Sequence, residues 1–581
     1  MKKIYIIGAL AVAGMSLNGC SDFLNDNRYP LSSQTANPEF WSNPVNVQNQ
    51  VNTFYNDFTG YGNGTGSGTF YFSTLSDDQC GRRDFSDWTF KDVPPSSTSW
   101  SAPYEEIRRA NLVIEGVENS SLSAADKENF LGIARMYRAR GYFDLVRRYG
   151  DVPLIKIPLD PSDDAELYGP RTPRNEVMDF IIEDLDYAIE HIATTSSKTT
   201  FSADLAQAMK VEVGIYEGAY AWYHQNDAAR KAEYYGYAVT AGEAIASKYP
   251  ICNDYTSLYK SMRTAQEKPK DIEGTPYPLY DALESNTEII FMKAYEKDVF
   301  MHSIIDYSSA SDGIAGLTKD AFDSYLFKDG LPAASTTLDK SDAGEAVGNN
   351  AVSIQKLLDV RDQRLAMTTY PNIFFNGMTW TGPNTAPMYS RSGYGVSKYD
   401  NWYIPTGEAT TANKGYNCAP LYWGARLYLA IAEAKAELGT ITDDDLTKYI
   451  KPLYDRAGIS DAHLTVAGLN AIADPANDMN VSSLIWEIRR CRRCELIMDD
   501  NIRYWDLVRW HQLDKLDTTT NPDIVLGANI STAPVTPSEV TGNYLNCSYG
   551  QTRKFDNKYY FYPVPSEQIR LNKNLTQNPG W

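Results

Sequence analysis

Tryptophan and tyrosine are the side chains through which this sequence could do chemistry. The 581 residues include 41 Tyr and 11 Trp. Each is a stiff ring with a polar handle, suited to ligands that have apolar faces and polar edges. Three stretches without helical pattern set such rings among hydrogen-bonding neighbours. Asp77–Trp88, read DDQCGRRDFSDW, puts Trp88 close to Arg82, Arg83 and Asp84, groups that can grip paired hydroxyls two at a time. Tyr295 and Tyr307 follow the strand-like run Glu288–Met292, and Trp380 and Tyr389 lie in the Gly- and Pro-rich stretch 370–416. By contrast Trp100, Trp222, Trp423, Trp486, Trp505 and Trp510 fall on helical patterns and read as core.

Other chemistries find little support. There is no G-x-S-x-G, no H-E-x-x-H and no phosphate loop, so the common nucleophile, zinc and nucleotide sites are missing. Cys491-x-x-Cys494 has no second pair, and only 5 His exist to complete a metal site, so structural cysteines are the favoured reading. The acidic run Thr442–Asp445 could hold Ca²⁺ but reads better as a helix cap, and no cofactor is expected. A net charge of -20 and a pI near 4.8 argue against nucleic acid as a partner and against an anionic membrane surface.

The elements that must position the aromatic stretches are mainly helices. Apolar spacing predicts helices over 37–57, 104–117, 124–149, a segment opened by Pro173 and running to about Ile192, and 204–224, 228–248, 421–438, 446–457 and 482–510. Between them, 59–100, 266–311 and 370–416 are long connections. Such loops inside a compact protein are usually functional or disordered, and their aromatic content argues against disorder. Small and aromatic residues alternate at three- and four-residue steps, as in Ala208, Val211, Ile215 and Ala219. That pattern resembles tetratricopeptide helix pairs. The expected fold is mainly α, a tetratricopeptide-like scaffold with a loop-rich ligand-binding subdomain and few short strands.

The N-terminus predicts the compartment. Lys2 and Lys3 precede an apolar run from Ile4 to Leu17, too short to span a bilayer and suited to a signal-peptide core. It leads into Leu17-Asn18-Gly19-Cys20, which resembles a bacterial lipobox with Cys20 as the acylated first mature residue. Residues 1–19 are then a signal peptide and 20–581 a single body held to the membrane by its lipid.

Motifs spread along the chain resemble those of the SusD/RagB family of outer-membrane nutrient-binding lipoproteins. They are Ser21-Asp22-Phe23-Leu24, the stretch WSAPYEEIRRAN from Trp100, and RARGYFDLVRRYGDVPL from Arg138. Thr172-Pro173-Arg174 follows, with Ile182-Glu183-Asp184-Leu185. Later come IAEA at Ile431, RYWDLVRW at Arg503, Tyr562-Pro563-Val564-Pro565 and Gln577-Asn578-Pro579-Gly580. The resemblance implies capture of an oligosaccharide at the cell surface and delivery to a SusC-like TonB-dependent transporter, without catalysis. It also implies that the loop containing Trp88 carries a stacking ring with polar ligands, and that a further stacking aromatic falls near Tyr295 and Tyr307. A peptide or glycopeptide ligand is the alternative within the family. A surface glycoside hydrolase is the alternative outside it, and would need two carboxylates flanking the bond.

Overall fold

The computed structural model describes residues 37–62, 75–80, 87–160, 162–266, 279–309, 316–348, 350–375, 378 and 390–581. The fold is mainly α, with few short strands. Its long helices are α1 (Pro44–Asn52), α2 (Thr98–Glu118), α3 (Ala124–Tyr149), α4 (Arg174–His191), α5 (Ala203–Tyr223), α6 (Ala228–Ile245), α7 (Gly424–Glu437), α8 (Ser483–Glu495) and α9 (Ile502–Arg509). The strands that bear on the site are β1 (Gln79–Cys80), β2 (Ile289–Lys293), β3 (Gly316–Leu317), β4 (Ala419–Trp423), β5 (Leu526–Asn529) and β6 (Tyr544–Asn546). Helices adjacent in sequence pack as antiparallel pairs: α2 on α3, α3 on α4, α5 on α6. The α5–α6 pair shows why small residues recur on its seam. A Cβ at Gly218 would fall 2.8 Å from Cγ of Tyr235, so only glycine lets the tyrosine ring of one helix lie on the backbone of the other.

Several helices are shorter than their apolar spacing suggests, each for a local reason. The segment 37–57 breaks into Pro38–Trp41, α1 and a 3₁₀ turn, because Asn43 caps a new start in front of Pro44. The expected 446–457 helix is divided into Asp443–Tyr449 and Lys451–Ala457, with Pro452 opening the second piece. The long helix expected over 482–510 is two, α8 and α9, separated where Met498, Asp500 and Asn501 adopt positive φ. Leu421–Trp423 is extended rather than helical. It belongs to β4, which pairs antiparallel with β2, from Ile289 opposite Trp423 to Lys293 opposite Ala419. The acidic run at 442–445 is a capping box: the Thr442 hydroxyl accepts from the Asp445 N–H, and the Asp445 carboxylate accepts from the Thr442 N–H.

Several of the motifs that carried the family resemblance lie at the joints between these helices and are held by buried ion pairs. Arg138 on α3 grips Asp184 on α4 through two bonds of 2.8 Å. Arg174 on α4 does the same with Glu217 on α5, at 2.9 and 2.6 Å. Glu433 of IAEA on α7 accepts two bonds from Arg509 and one from the indole of Trp510, all from the RYWDLVRW segment. Bidentate guanidinium–carboxylate geometry fixes direction as well as distance, so these pairs set how each helix crosses the next.

Candidate functional site

The Asp77–Trp88 stretch is built around a fixed stem. Its strand β1 pairs antiparallel with β3, with Gln79 opposite Leu317 and Cys80 opposite Gly316. Gly316 also bridges Gly395, and a Cβ there would run into the hydroxyls of Ser390 and Ser392, so this close approach requires glycine. Ser390 N–H in turn donates to Phe374 O at 3.1 Å. Cys80, Gly316, Phe374 and Ser390 therefore meet in one hydrogen-bonded platform. From it the chain enters or leaves 81–86, 310–315 and 379–389; the first and last of these belong to stretches singled out in the sequence, and the second begins at the end of 266–311.

Buried charges pin this platform to the helical scaffold. Arg503 on α9 holds the Asp77 carboxylate with bonds of 2.7 and 2.6 Å, and Arg493 on α8 holds Asp78 at 2.7 Å. Thr318, following β3, donates its hydroxyl to Asp77 O and its N–H to Asp78 O. Burial alone would raise the pKa of Asp77. The guanidinium groups of Arg493 and Arg503 outweigh it and hold the carboxyl far below the usual carboxylate range. At Asp78 burial prevails and pushes the pKa up, with Arg493 pulling down and Asp77 pushing up. Asp77 and Asp78 thus serve as anchors for the stem.

The singled-out aromatic residues take different places. Trp88 is 6% exposed. Its ring stacks on Tyr559 with centroids 4.3 Å apart, and its indole N–H donates to Lys554 O at 2.7 Å. One ring face and the polar handle are thus committed to the C-terminal segment, which makes Trp88 the clamp that ends the loop and corrects the expectation of a free stacking face. Tyr295 is 1% exposed. Its hydroxyl donates to Thr59 O and Gly62 O at 2.9 and 2.7 Å, and its ring lies parallel to that of Phe300 and edge-on to His302. It fixes the stem leading into 63–74 and offers no face to a ligand, again correcting the expectation. Tyr307, on the short helix Ile304–Ser309, is half-buried. Arg82, Arg83, Asp84, Trp380, Tyr389 and the lipobox Cys20 lie outside the described residues.

Of the six tryptophans read as core, Trp100, Trp423, Trp505 and Trp510 are buried. Trp222 is 36% exposed with Lys231 over its ring. Trp486 is half-buried and lines a cavity of about 290 Å³ with Lys319, Asp320, Arg361, Asp474 and Arg490. This cavity adjoins the platform, because Arg493 and Arg503, which hold Asp77 and Asp78, also line it. An aromatic ring among carboxylates and guanidiniums has the composition expected of a polar-ligand site. Sequence reasoning missed Trp486 because its helical spacing is also that of a core residue. The signal that could have drawn attention to it is the run of Arg residues, 489, 490, 492 and 493, on the same helix.

A larger groove of about 370 Å³ lies elsewhere, between the start of α2, the connection 153–167 and the C-terminal helix Ser566–Leu571, lined by Tyr104, Ile107, Ile155, Ile157 and Leu575. The cysteines of the C-x-x-C are buried, their pKa pushed up to about 12 by that burial, and bond to Arg364 and Ser324. Among the described residues no group of three or more His, Cys, Asp or Glu could hold a metal ion. Among the same residues no helix is long and apolar enough to cross a membrane.

Known proteins share both sequence and architecture with this chain. A model described as the SusD family matches residues 287–581, and one described as starch-binding associating with outer membrane matches 32–216. SusD-like protein P38 of Formosa agariphila is 38% identical over 132 residues, 22% of this chain and 25% of that protein. A SusD-like protein of Bacteroides ovatus is 34% identical over 124 residues, 20% of this chain and 22% of its own. The chain therefore spans about a quarter of the length of the curated relatives it matches. Among solved structures, a SusD-like carbohydrate binding protein from Bacteroides fragilis superposes with a TM-score of 0.68 at 20% identity, covering 92% of this chain and 100% of that one. Surface glycan-binding protein A from Bacteroides fluxus does so with a TM-score of 0.58 at 15% identity, covering 93% and 100%. With a family model spanning Thr287 to the C-terminal Trp581, and a fold shared over nine-tenths of its length, the chain belongs to the SusD family.

Proposed function

We propose that this protein captures an oligosaccharide at the surface of the outer membrane, tethered through the acylated Cys20, and passes it to a SusC-like TonB-dependent transporter without cleaving it. The observation that carries the reading is the platform at Cys80, Gly316 and Ser390. It brings the polar stretch 81–86 and the aromatic-containing stretch 379–389 onto one rigid base, beside the segment that follows Tyr307, so that several sugar rings can be met at once. Trp380, Tyr389 and Tyr307 supply the stacking faces in this reading, and Arg82, Arg83 and Asp84 take hydroxyls. The carboxyl groups of Asp77 and Asp78 beneath them are buried and held by Arg503 and Arg493, an arrangement that suits a support. Family membership and the binding functions named for relatives support the same assignment.

The test is glycan retention by the soluble chain lacking residues 1–20, followed by isothermal titration. A retained polysaccharide with no released product is expected. Substituting alanine for Trp380 and Tyr389 together should weaken binding at least about tenfold, because each ring–ligand stack contributes about 1 kcal/mol or more, and should leave the melting temperature unchanged. Cleavage at enzymatic rates, or full binding by the double variant, would overturn the reading. In cells, Cys20→Ser should release the protein from the membrane fraction.

A further inference from the structure

Two of the cysteines are neighbours although 467 positions separate them in sequence. Cys80 ends β1 opposite Gly316. Gly316 lies against Ser392, and Ser392 O accepts the Ala528 N–H at 2.6 Å. Ala528 belongs to β5, which pairs with β6 so that Leu526 stands opposite Asn546. Cys547 follows directly, its N–H bonded to Val525 O at 2.8 Å. The route Cys80, Gly316, Ser392, Ala528, Cys547 is thus a chain of neighbouring backbone segments that brings the two cysteines into one region, where the Cys80 thiol acts electrostatically on that of Cys547. Both residues are 5% exposed.

The other four thiols are engaged elsewhere. Cys252 bonds to Asp254 O, Cys418 to Tyr295 O, Cys494 to Ser324 O, and Cys491 receives Arg364. Cys491 and Cys494 are on one helix but are directed to different partners.

We propose that Cys80 and Cys547 are oxidised to a disulfide as the chain folds in an oxidising compartment, stapling the stem of the 81–86 loop to the C-terminal β-sheet. The inference rests on the exported location given above. One thiol loses its proton, and the thiolate attacks the disulfide of an exported thiol–disulfide oxidant, giving a mixed disulfide. The second thiolate then attacks the protein sulfur of that intermediate. The Cys80–Cys547 bond forms, the oxidant leaves as its dithiol, and the two electrons lost by the cysteines reside there. Burial pushes the Cys547 thiol well above its ordinary range, which makes it a poor nucleophile once packed. Exchange therefore precedes final closure of the C-terminal segment, and the finished bond is shielded from soluble reductants. The bond would constrain the very stem from which Arg82, Arg83 and Asp84 extend.

The experiment uses two samples of the full chain: protein extracted from membranes, and protein reduced, unfolded and refolded in a glutathione redox buffer. Each is denatured without reductant, alkylated and peptide-mapped. Excluding Cys20, four alkylated cysteines and a linked Cys80–Cys547 peptide are expected in both, with all six alkylated after reduction. The Cys80→Ala and Cys547→Ala variants should each show five alkylated cysteines and no linked peptide. Six free thiols in both wild-type samples would overturn the pairing. The linked peptide after refolding, with six free thiols in the cellular sample, would support the pair and overturn the exported location instead.

Discussion

Acidification should destabilise this protein well before its ordinary carboxylates are protonated, and the buried histidines His302 and His224 are the reason. The His302 imidazole is buried with no exposed surface between Tyr61 and Tyr295, which meet it edge-on at 5.1 and 4.5 Å. Its Nε2–H donates to Asn417 O at 2.9 Å, and Nδ1 accepts the Ile304 N–H at 3.2 Å. Both nitrogens are in use, so a second proton would displace the Ile304 bond and leave a cation among tyrosine rings. Burial therefore lowers the pKa from 6.5 to about 3. His224, whose Nε2 meets Val508 O at 2.7 Å, is lowered to about 3 for the same first cause.

The sign follows directly. A histidine whose folded pKa is depressed binds more protons when unfolded, so stability falls as pH drops below 6.5 and goes on falling until about pH 3. Between pH 7.5 and 5.5 each such histidine removes about 1.4 kcal/mol, and the two together about 2.7 kcal/mol. Buried carboxyls with raised pKa, such as Glu106, Asp184, Asp400 and Asp499, act in the opposite sense, so the comparison must be made against a variant that lacks the imidazole. Urea unfolding at both pH values should show His302→Gln losing about 1.4 kcal/mol less than the parent chain. With only 5 His in the sequence, carbon-13 labelling at Cε1 gives an independent check: the His302 resonance should keep its neutral position down to pH 4.5. A midpoint near 6.5, or identical pH sensitivity in the variant, would refute the reasoning.

Three further perturbations test the scaffold. Asp77→Asn leaves Arg503 and Arg493 short of a carboxylate in the interior and should cost about 3–5 kcal/mol. For a cooperative unit of this size that is a fall in melting temperature of about 3–4 °C, and an unchanged calorimetric transition would refute the anchoring role. Trp88→Ala should cost about as much through lost packing, whereas Trp88→Phe, which keeps a ring on Tyr559, should recover most of it; a melting temperature unaffected by the alanine would free Trp88 for the ligand. Gly116→Ala drives a methyl group into the indole of Trp41 and should destabilise by about 1–3 kcal/mol, so a variant as stable as the parent would show that the helix start at Pro38 can yield.

The helical scaffold was legible because its determinants are local. Ser123 with Asp126, and Thr442 with Asp445, cap helices from within a few residues. The small-residue steps of α5 act on the next helix in sequence. Some misses were local, such as the helix breaks at Pro44 and Pro452; those that bear on the site were non-local. Leu421–Trp423 has helical apolar spacing, yet it is drawn into a ladder by Ile289–Lys293, more than a hundred residues earlier. Trp88 and Tyr295 have the composition of ligand residues in their loops, but their partners, Lys554, Tyr559, Thr59 and Gly62, come from distant segments that no periodicity announces.

The same distinction explains why the family could be read and the ligand could not. The residues that carry the resemblance, Arg138, Asp184, Arg174, Glu433, Arg503 and Arg509, are charged groups removed from water. Each is tolerated only because a partner stands at bonding distance in a fixed direction. Changing either member leaves an unpaired buried charge, so type and spacing are constrained together and survive as a motif. A stacking ring on a loop obeys a weaker rule. It must present a face, but many backbone paths can present it, and the choice of ligand would then depend on angles between rings that composition does not encode. The platform at Cys80, Gly316 and Ser390 joins the two regimes, because the paired charges of Arg503 with Asp77 and Arg493 with Asp78 fix its position. Specificity in this protein is therefore to be sought in exchanges of whole loops on an unchanged platform, and a loop graft between relatives should transfer ligand choice while Arg503 and Asp77 keep the stem in place.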